Sequence, residues 1–309
     1  MIQTLFQGTL PFEAAAGHFI QSFASQPLDY FFTGVTLLGN PALWFLLAAF
    51  FYWKGEEKRA MAIATVLLIT SALVGFLKIF IGRPRPSLLE FRVISSESDV
   101  FSMPSGHAAT IAGIFGYYWD KFRGGAKAIG MIAVLFVMVS RVYLGMHFIG
   151  DVIVGAAFGF VIGRALHHFE KDFEKISFSG KRLLEEIEIM AVICLAMVIS
   201  FMFRPLALGS GLLGFFAGGV AFKLLGMDSQ KISGNALWVK EAVGFAVLGA
   251  TVLSGIMLGM EPEAYFLGGA WASLIYPALY EKITQGKIGQ AKGIGTPRPG
   301  PAKKPAGKA

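Results

Sequence analysis

Long uninterrupted apolar runs dominate this chain and decide what it can fold into. Stretches near residues 59–81, 127–145 and 237–260 each reach the length a helix needs to cross a bilayer core, about 20 residues. Lipid offers no hydrogen-bond partner to backbone N–H and C=O groups, so such runs must become helices; a transmembrane barrel would instead show alternating strands. With 55% hydrophobic residues, 15% charged residues and a mean hydropathy of +0.61, an ordinary soluble globule is excluded. The expected fold class is all-α: a polytopic membrane helical bundle.

About nine spans are expected, near 28–53, 59–81, 105–119, 127–145, 147–166, 187–203, 206–225, 237–260 and 264–280, with a bend in the first at Gly39-Asn40-Pro41. Residues 1–27 mix Glu13 and His18 with Leu, Phe and Ala and read as an amphipathic segment on the membrane surface. Residues 28–168 form the expected helical core, 169–186 a charged cytoplasmic linker and 187–281 a four-span accessory region. The tail, 282–309, is rich in Gly, Pro, Lys and Ala and has little apolar surface to bury, so disorder is expected. No cationic start followed by an apolar core opens the chain, so no cleavable signal peptide is expected. Cys194 is the single cysteine, which rules out an intrachain disulfide.

The net charge of +7 is explained by topology. Nine spans put 21 of the 27 Lys and Arg residues on one side, leaving Lys78, Arg83, Arg85, Arg92, Arg141 and Arg204 on the other. The crowded side is the expected cytoplasm, with the N-terminus outside and the C-terminus inside. Nucleic acid is not needed as a partner.

Three short segments at the edges of these runs share the extracytoplasmic side: Lys78 through Arg85-Pro86, then Pro104-Ser105-Gly106-His107, then Ser140-Arg141 with His147 and Asp151. Ionisable groups beside membrane spans are costly and are functional candidates by default. This set suits a phosphate group. Lys78, Arg85 and Arg141 offer positive charge to its oxygens, Arg as a planar fork. Ser105 is a preferred helix N-cap, and Gly106 lets free backbone N–H groups of the first turn approach an anion. His147 and Asp151, four apart, share one helix face, so the carboxylate can fix the imidazole tautomer and leave its other nitrogen to attack. His107 is placed to protonate a leaving oxygen. Arg92 reads as a side chain snorkelling to lipid headgroups, and Arg83 is assigned to neither role. His167 and His168 sit in a charged cytoplasmic stretch and read as solvated. Gly-rich stretches such as Gly211-Leu212-Leu213-Gly214 and Gly218-Gly219 point to close helix packing.

In residue type, spacing and order these three segments resemble the signature of the phosphatidic acid phosphatase type 2 superfamily, over roughly residues 28–168. The resemblance implies a helical phosphatase core and a metal-independent phosphohydrolase working through a phosphohistidine. By that likeness His147 matches the nucleophile, Asp151 its partner and His107 the general acid, while Lys78, Arg85, Ser105, Gly106 and Arg141 match the phosphate pocket. No cofactor or metal is expected. The expected activity is removal of phosphate from a lipid phosphate or polyprenyl pyrophosphate at the outer face of the cell membrane, with membrane lipids as surroundings and self-association left open. A lipid phosphotransferase is the alternative, and a membrane transporter a further one that is disfavoured because the charges gather at one face.

Overall fold

The computed structural model describes residues 10–94, 100–173, 206–227, 229 and 231–283. Regular structure in these residues is helical, beside one isolated bridge between Pro84 and Phe101. The first described helices are α1 (Pro11–Gln21) and α2 (Gln26–Thr36), and a 3-10 turn, Leu37–Gly39, leads into α3 (Pro41–Trp53). Asn40 caps α3 by accepting from the Ala42 N–H at 2.9 Å, and Pro41 occupies the first helical position, where no N–H is required. The expected bend falls here, at 53°.

Four helices follow: α4 (Glu57–Ile81), α5 (Gly106–Tyr117), α6 (Gly125–Tyr143) and α7 (Ile149–Phe173). Beyond them lie α8 (Leu206–Leu224), α9 (Asn235–Leu258) and α10 (Glu261–Ala270), the last continuing through a π turn, Trp271–Ile275, to residue 283. Four of these helices are long and apolar enough to cross a membrane, α4, α6, α7 and α9, and the bent α2–α3 pair would make a fifth. The molecule is an integral membrane protein.

Among the described residues that is fewer full-length spans than the nine expected of the whole chain, and α5 shows one reason. It has 12 residues, roughly 18 Å at 1.5 Å per residue, against a hydrocarbon core of ~30 Å. Every residue from Ala108 to Tyr117 is buried, so protein rather than lipid surrounds it. Hydropathy records apolarity, and burial inside a bundle demands apolarity as strongly as lipid does. The expected span at 187–203 and nearly all of the expected linker and tail lie outside the described residues.

Two features of packing position the site. On α7, Gly155, Gly159 and Gly163 lie at successive turns facing α5, and a Cβ at each would strike backbone: Ser105 O, Ala109 O and Gly113 O respectively. The two helices therefore touch main chain to main chain, which only a small-residue stripe permits. The largest hydrophobic cluster lies elsewhere, joining α3 and α4 (Tyr52, Trp53, Leu67) to α8 (Leu212, Phe215, Phe222) and to Ala272 and Tyr276. Trp53 Nε1 donates to Ala272 O at 2.7 Å within it. Of the glycines expected to mark close packing, Gly214 lies against the backbone of α10 and Gly218 against the Ser273 side chain of the π turn, whereas a Cβ at Gly211 or Gly219 would meet only ordinary contacts.

Candidate active site

Four helix ends meet at one end of the bundle, and the sequence dictates each. Gly82, at φ 65°, closes α4 by donating its N–H to Lys78 O at 2.9 Å and turns the chain away. The segment after it is held on the α6–α7 turn, where Ile94 N donates to Leu144 O at 3.1 Å. Gly145, at φ 74°, packs beneath the Arg92 carbonyl where no Cβ would fit. Arg85 is thereby brought to the turn and donates to Met146 O at 2.9 Å.

Ser105 caps α5, its Oγ accepting from the Ala108 N–H at 3.5 Å, and its own N–H donates to Asp151 O at 3.0 Å. The first turn of α5, with Gly106 and the partly exposed His107, is thus tied to the first turn of α7. His147 is buried just ahead of α7. Its Nδ1 lies 3.5 Å from Asp151 Oδ2, and its Nε2 lies 3.5 Å from Arg85 Nη1. Asp151 Oδ2 also accepts from the Phe148 N–H at 2.9 Å. Burial, reinforced by the positive charges of Arg141, Lys78 and Arg85 and by His107, holds the His147 imidazole well below its ordinary value of 6.5. The ring is neutral at physiological pH, with one nitrogen toward a carboxylate and the other toward a cationic pocket.

Lys78 and Arg141 are buried, and Arg141 Nη1 donates to Thr36 Oγ1 at 3.0 Å, so α2 also borders the pocket. All eight residues singled out in the sequence, Lys78, Arg85, Ser105, Gly106, His107, Arg141, His147 and Asp151, gather at this end. A neutral imidazole amid fixed cations can bind an anion and attack it. His167 lies at the other end of α7, 3.3 Å from Asp120. Arg92 departs from the lipid-snorkelling expectation: it pairs with Asp29, and its backbone N–H donates to Gln21 Oε1 at 3.1 Å.

Sequence reasoning missed two groups. Arg83 Nη1 donates to Asp151 Oδ1 at 2.8 Å, and the same guanidinium is gripped by Glu13 of α1. The available signal was weak: an acidic residue alone in an apolar N-terminal stretch, far in sequence from its partner.

The profile of the PAP2 superfamily matches residues 59–175. Phosphatidylglycerophosphatase B of Bacillus subtilis is 34% identical over 167 residues, which cover 48% of this chain and 78% of that protein. Lipid A 4'-phosphatase of Bacteroides thetaiotaomicron is 28% identical over 148 residues, 42% of this chain and 64% of that one. Lipid phosphate phosphatase delta of Arabidopsis thaliana is 24% identical over 160 residues, 46% of this chain but only 38% of that protein, so the chain spans well under two thirds of this relative. The Bacillus match covers most of its protein at more than 30% identity, and it agrees with the profile match. The chain belongs to the PAP2 superfamily.

Proposed function

We propose that this protein is a membrane phosphohydrolase that removes phosphate from a lipid phosphate or polyprenyl pyrophosphate through a phosphohistidine at the extracytoplasmic face. The observation that carries the reading is the setting of His147, with Nδ1 toward Asp151 and Nε2 toward Arg85. In the first step the Nε2 lone pair forms a bond to phosphorus while the bond from phosphorus to the lipid oxygen breaks. His107 gives that oxygen its proton. Asp151 stabilises the imidazolium character that develops on His147, and Lys78, Arg85, Arg141 and the first-turn N–H groups of α5 hold the phosphoryl oxygens. In the second step water, deprotonated by His107, attacks phosphorus, and the P–N bond breaks to release phosphate and restore neutral His147. No metal enters this scheme, because three cationic side chains supply the charge a divalent ion would bring.

The lipid class rests on the names of the relatives, which span a glycerophospholipid phosphatase and a lipid A phosphatase. Their shared element is a phosphoryl group on a membrane-anchored tail. The outward face of the site and the accessory role of the C-terminal helices rest on the distribution of Lys and Arg and on the position of every assigned residue before α8. The test is phosphate release by detergent-purified protein from a panel of pure lipid phosphates, with a trap for an acid-labile phosphoenzyme. The wild type releases phosphate and forms the adduct, whereas His147→Ala does neither and loses several orders of magnitude in turnover. Near-normal turnover by His147→Ala sinks the mechanism, and phosphate passed to an acceptor other than water reassigns the protein as a phosphotransferase.

A further inference from the structure

Asp151 has a second partner besides His147, and that partner has a second carboxylate. Arg83 Nη1 donates to Asp151 Oδ1 at 2.8 Å and to Glu13 Oε1 at 3.2 Å, while Nη2 donates to Glu13 Oε2 at 2.5 Å. The three side chains are 0–2% exposed. The guanidinium also lies 4.2 Å from the centre of the Phe148 ring, which fixes its plane. Glu13 Oε1 further accepts from the Gly150 N–H at 3.2 Å, at the start of α7, so α1 is joined to the Asp151 helix twice.

The charges set the logic. Arg83 and Asp151 alone would form a closed, neutral ion pair. A carboxylate whose charge is cancelled in this way has little left to orient a neutral imidazole or to stabilise an imidazolium. Glu13 restores the balance, because the trio carries one net negative charge and Arg83 is neutralised by a carboxylate other than Asp151. Removing water from ions is expensive, and a buried ion pair is seldom kept for stability alone. Here the arrangement leaves one uncompensated carboxylate facing the nucleophile.

We propose that Glu13 and Arg83 are positioning residues for the proposed phosphohydrolase. Arg83 holds Asp151 in register with His147, and Glu13, delivered by the N-terminal helix, cancels the Arg83 charge so that Asp151 keeps its own. The inference rests on His147 being the nucleophile. It makes α1 part of the working site and assigns a role to an N-terminal segment that composition alone marks as a surface helix.

The test uses full-length protein in detergent and a short-chain phosphatidic acid as substrate. Glu13→Gln keeps shape but leaves Arg83 uncancelled; kcat falls roughly 10–100-fold with KM within about threefold, the scale of losses when an outer-shell partner is removed. The double variant Glu13→Gln/Arg83→Gln removes both charges and returns the single negative charge to Asp151, so its kcat recovers at least fivefold over Glu13→Gln but stays below wild type, because Arg83 no longer holds Asp151 in register. A merely structural role gives the opposite order, with the double variant no better than the single. Glu13→Gln within twofold of wild type, or a double variant that fails to recover, overturns the proposal. Should the single variant fail to stay monodisperse, the double variant alone decides: a kcat within about tenfold of wild type supports the proposal, and any larger loss ends it. His147→Ala in the same assay separates the two readings. If it retains turnover, the nucleophile assignment falls and this inference with it; if it is inactive while Glu13→Gln is normal, only this inference falls.

Discussion

Replacing Gly155 by Ala tests whether the main-chain contact between α5 and α7 sets the geometry of catalysis. A Cβ at this position would lie 2.5 Å from Ser105 O, whereas ordinary contact begins near 3.4 Å, a deficit of about 0.9 Å. The obstacle is backbone and cannot swing aside, so one helix must shift relative to the other by that amount. The shift falls on the turn that carries Ser105, Gly106 and His107, and it stretches the 3.0 Å bond from Ser105 N to Asp151 O beyond hydrogen-bond length. A misplacement of ~1 Å between reacting groups costs roughly 100-fold in rate, and overpacking of this kind costs about 1–3 kcal/mol of stability. The expected result is a kcat on a lipid phosphate in mixed micelles reduced on the order of 100-fold, with a lowered but still cooperative thermal transition. Gly249→Ala, on α9 with nothing within 4 Å of the new methyl, serves as control and leaves both measurements near wild type. If Gly155→Ala retains kcat within twofold of wild type, the close contact does not govern the site and the reasoning is wrong.

Activity survives EDTA and is inhibited by vanadate, since Lys78, Arg85 and Arg141 suit an oxyanion and repel a divalent cation; loss with EDTA that a divalent ion restores would refute this. In a Cys194→Ser background, Leu89→Cys, at a position 97% exposed beside the site, reacts with an impermeant thiol reagent in intact cells, and Gly125→Cys at the start of α6 does not. The reverse pattern inverts the topology. His147, held well below 6.5, stays neutral as the pH falls through that value, so one imidazole resonance of labelled protein, assigned through His147→Ala, does not shift between pH 8 and 6. The unfolded chain takes up a proton near 6.5 that the folded protein refuses, so this group makes stability decline as the pH drops below 6.5. A midpoint at or above 6.5 contradicts the crowding of positive charge around the ring.

The site was legible because charge is scarce here. In a chain with only 15% charged residues, a cation, a histidine or a carboxylate at the edge of an apolar run has few ordinary explanations, and counting spans put the three motifs on one side. Residue type and spacing were also enough to pair His147 with Asp151, but which ring nitrogen faces the carboxylate came only from the structure. Glu13 was not legible, because its partner Arg83 lies 70 residues away and an isolated acid in an apolar segment resembles the polar face of a surface helix. The glycines at 155, 159 and 163 were readable in principle as small residues at every fourth position, but nothing in one sequence names the helix they face. The bounds of α5 were close to those expected, 105–119, but its surroundings were hidden, because a helix buried in protein is as apolar as one in lipid. The expected core, 28–168, and accessory region, 187–281, do not pack as separate units: α8 and the final helix fill the same hydrophobic cluster as Trp53.

That shared cluster has a consequence for biogenesis. The Trp53 indole N–H finds its acceptor on Ala272, 219 residues later in the chain. At a synthesis rate of roughly 5–20 residues per second, the acceptor leaves the ribosome some 10–45 s after the donor. During that interval the first helices sit in the membrane with a groove where Phe215, Phe222 and Tyr276 will later pack. The first half of the protein therefore enters the bilayer as an unfinished object, holding a polar group and an open apolar seam to lipid until the last helices arrive.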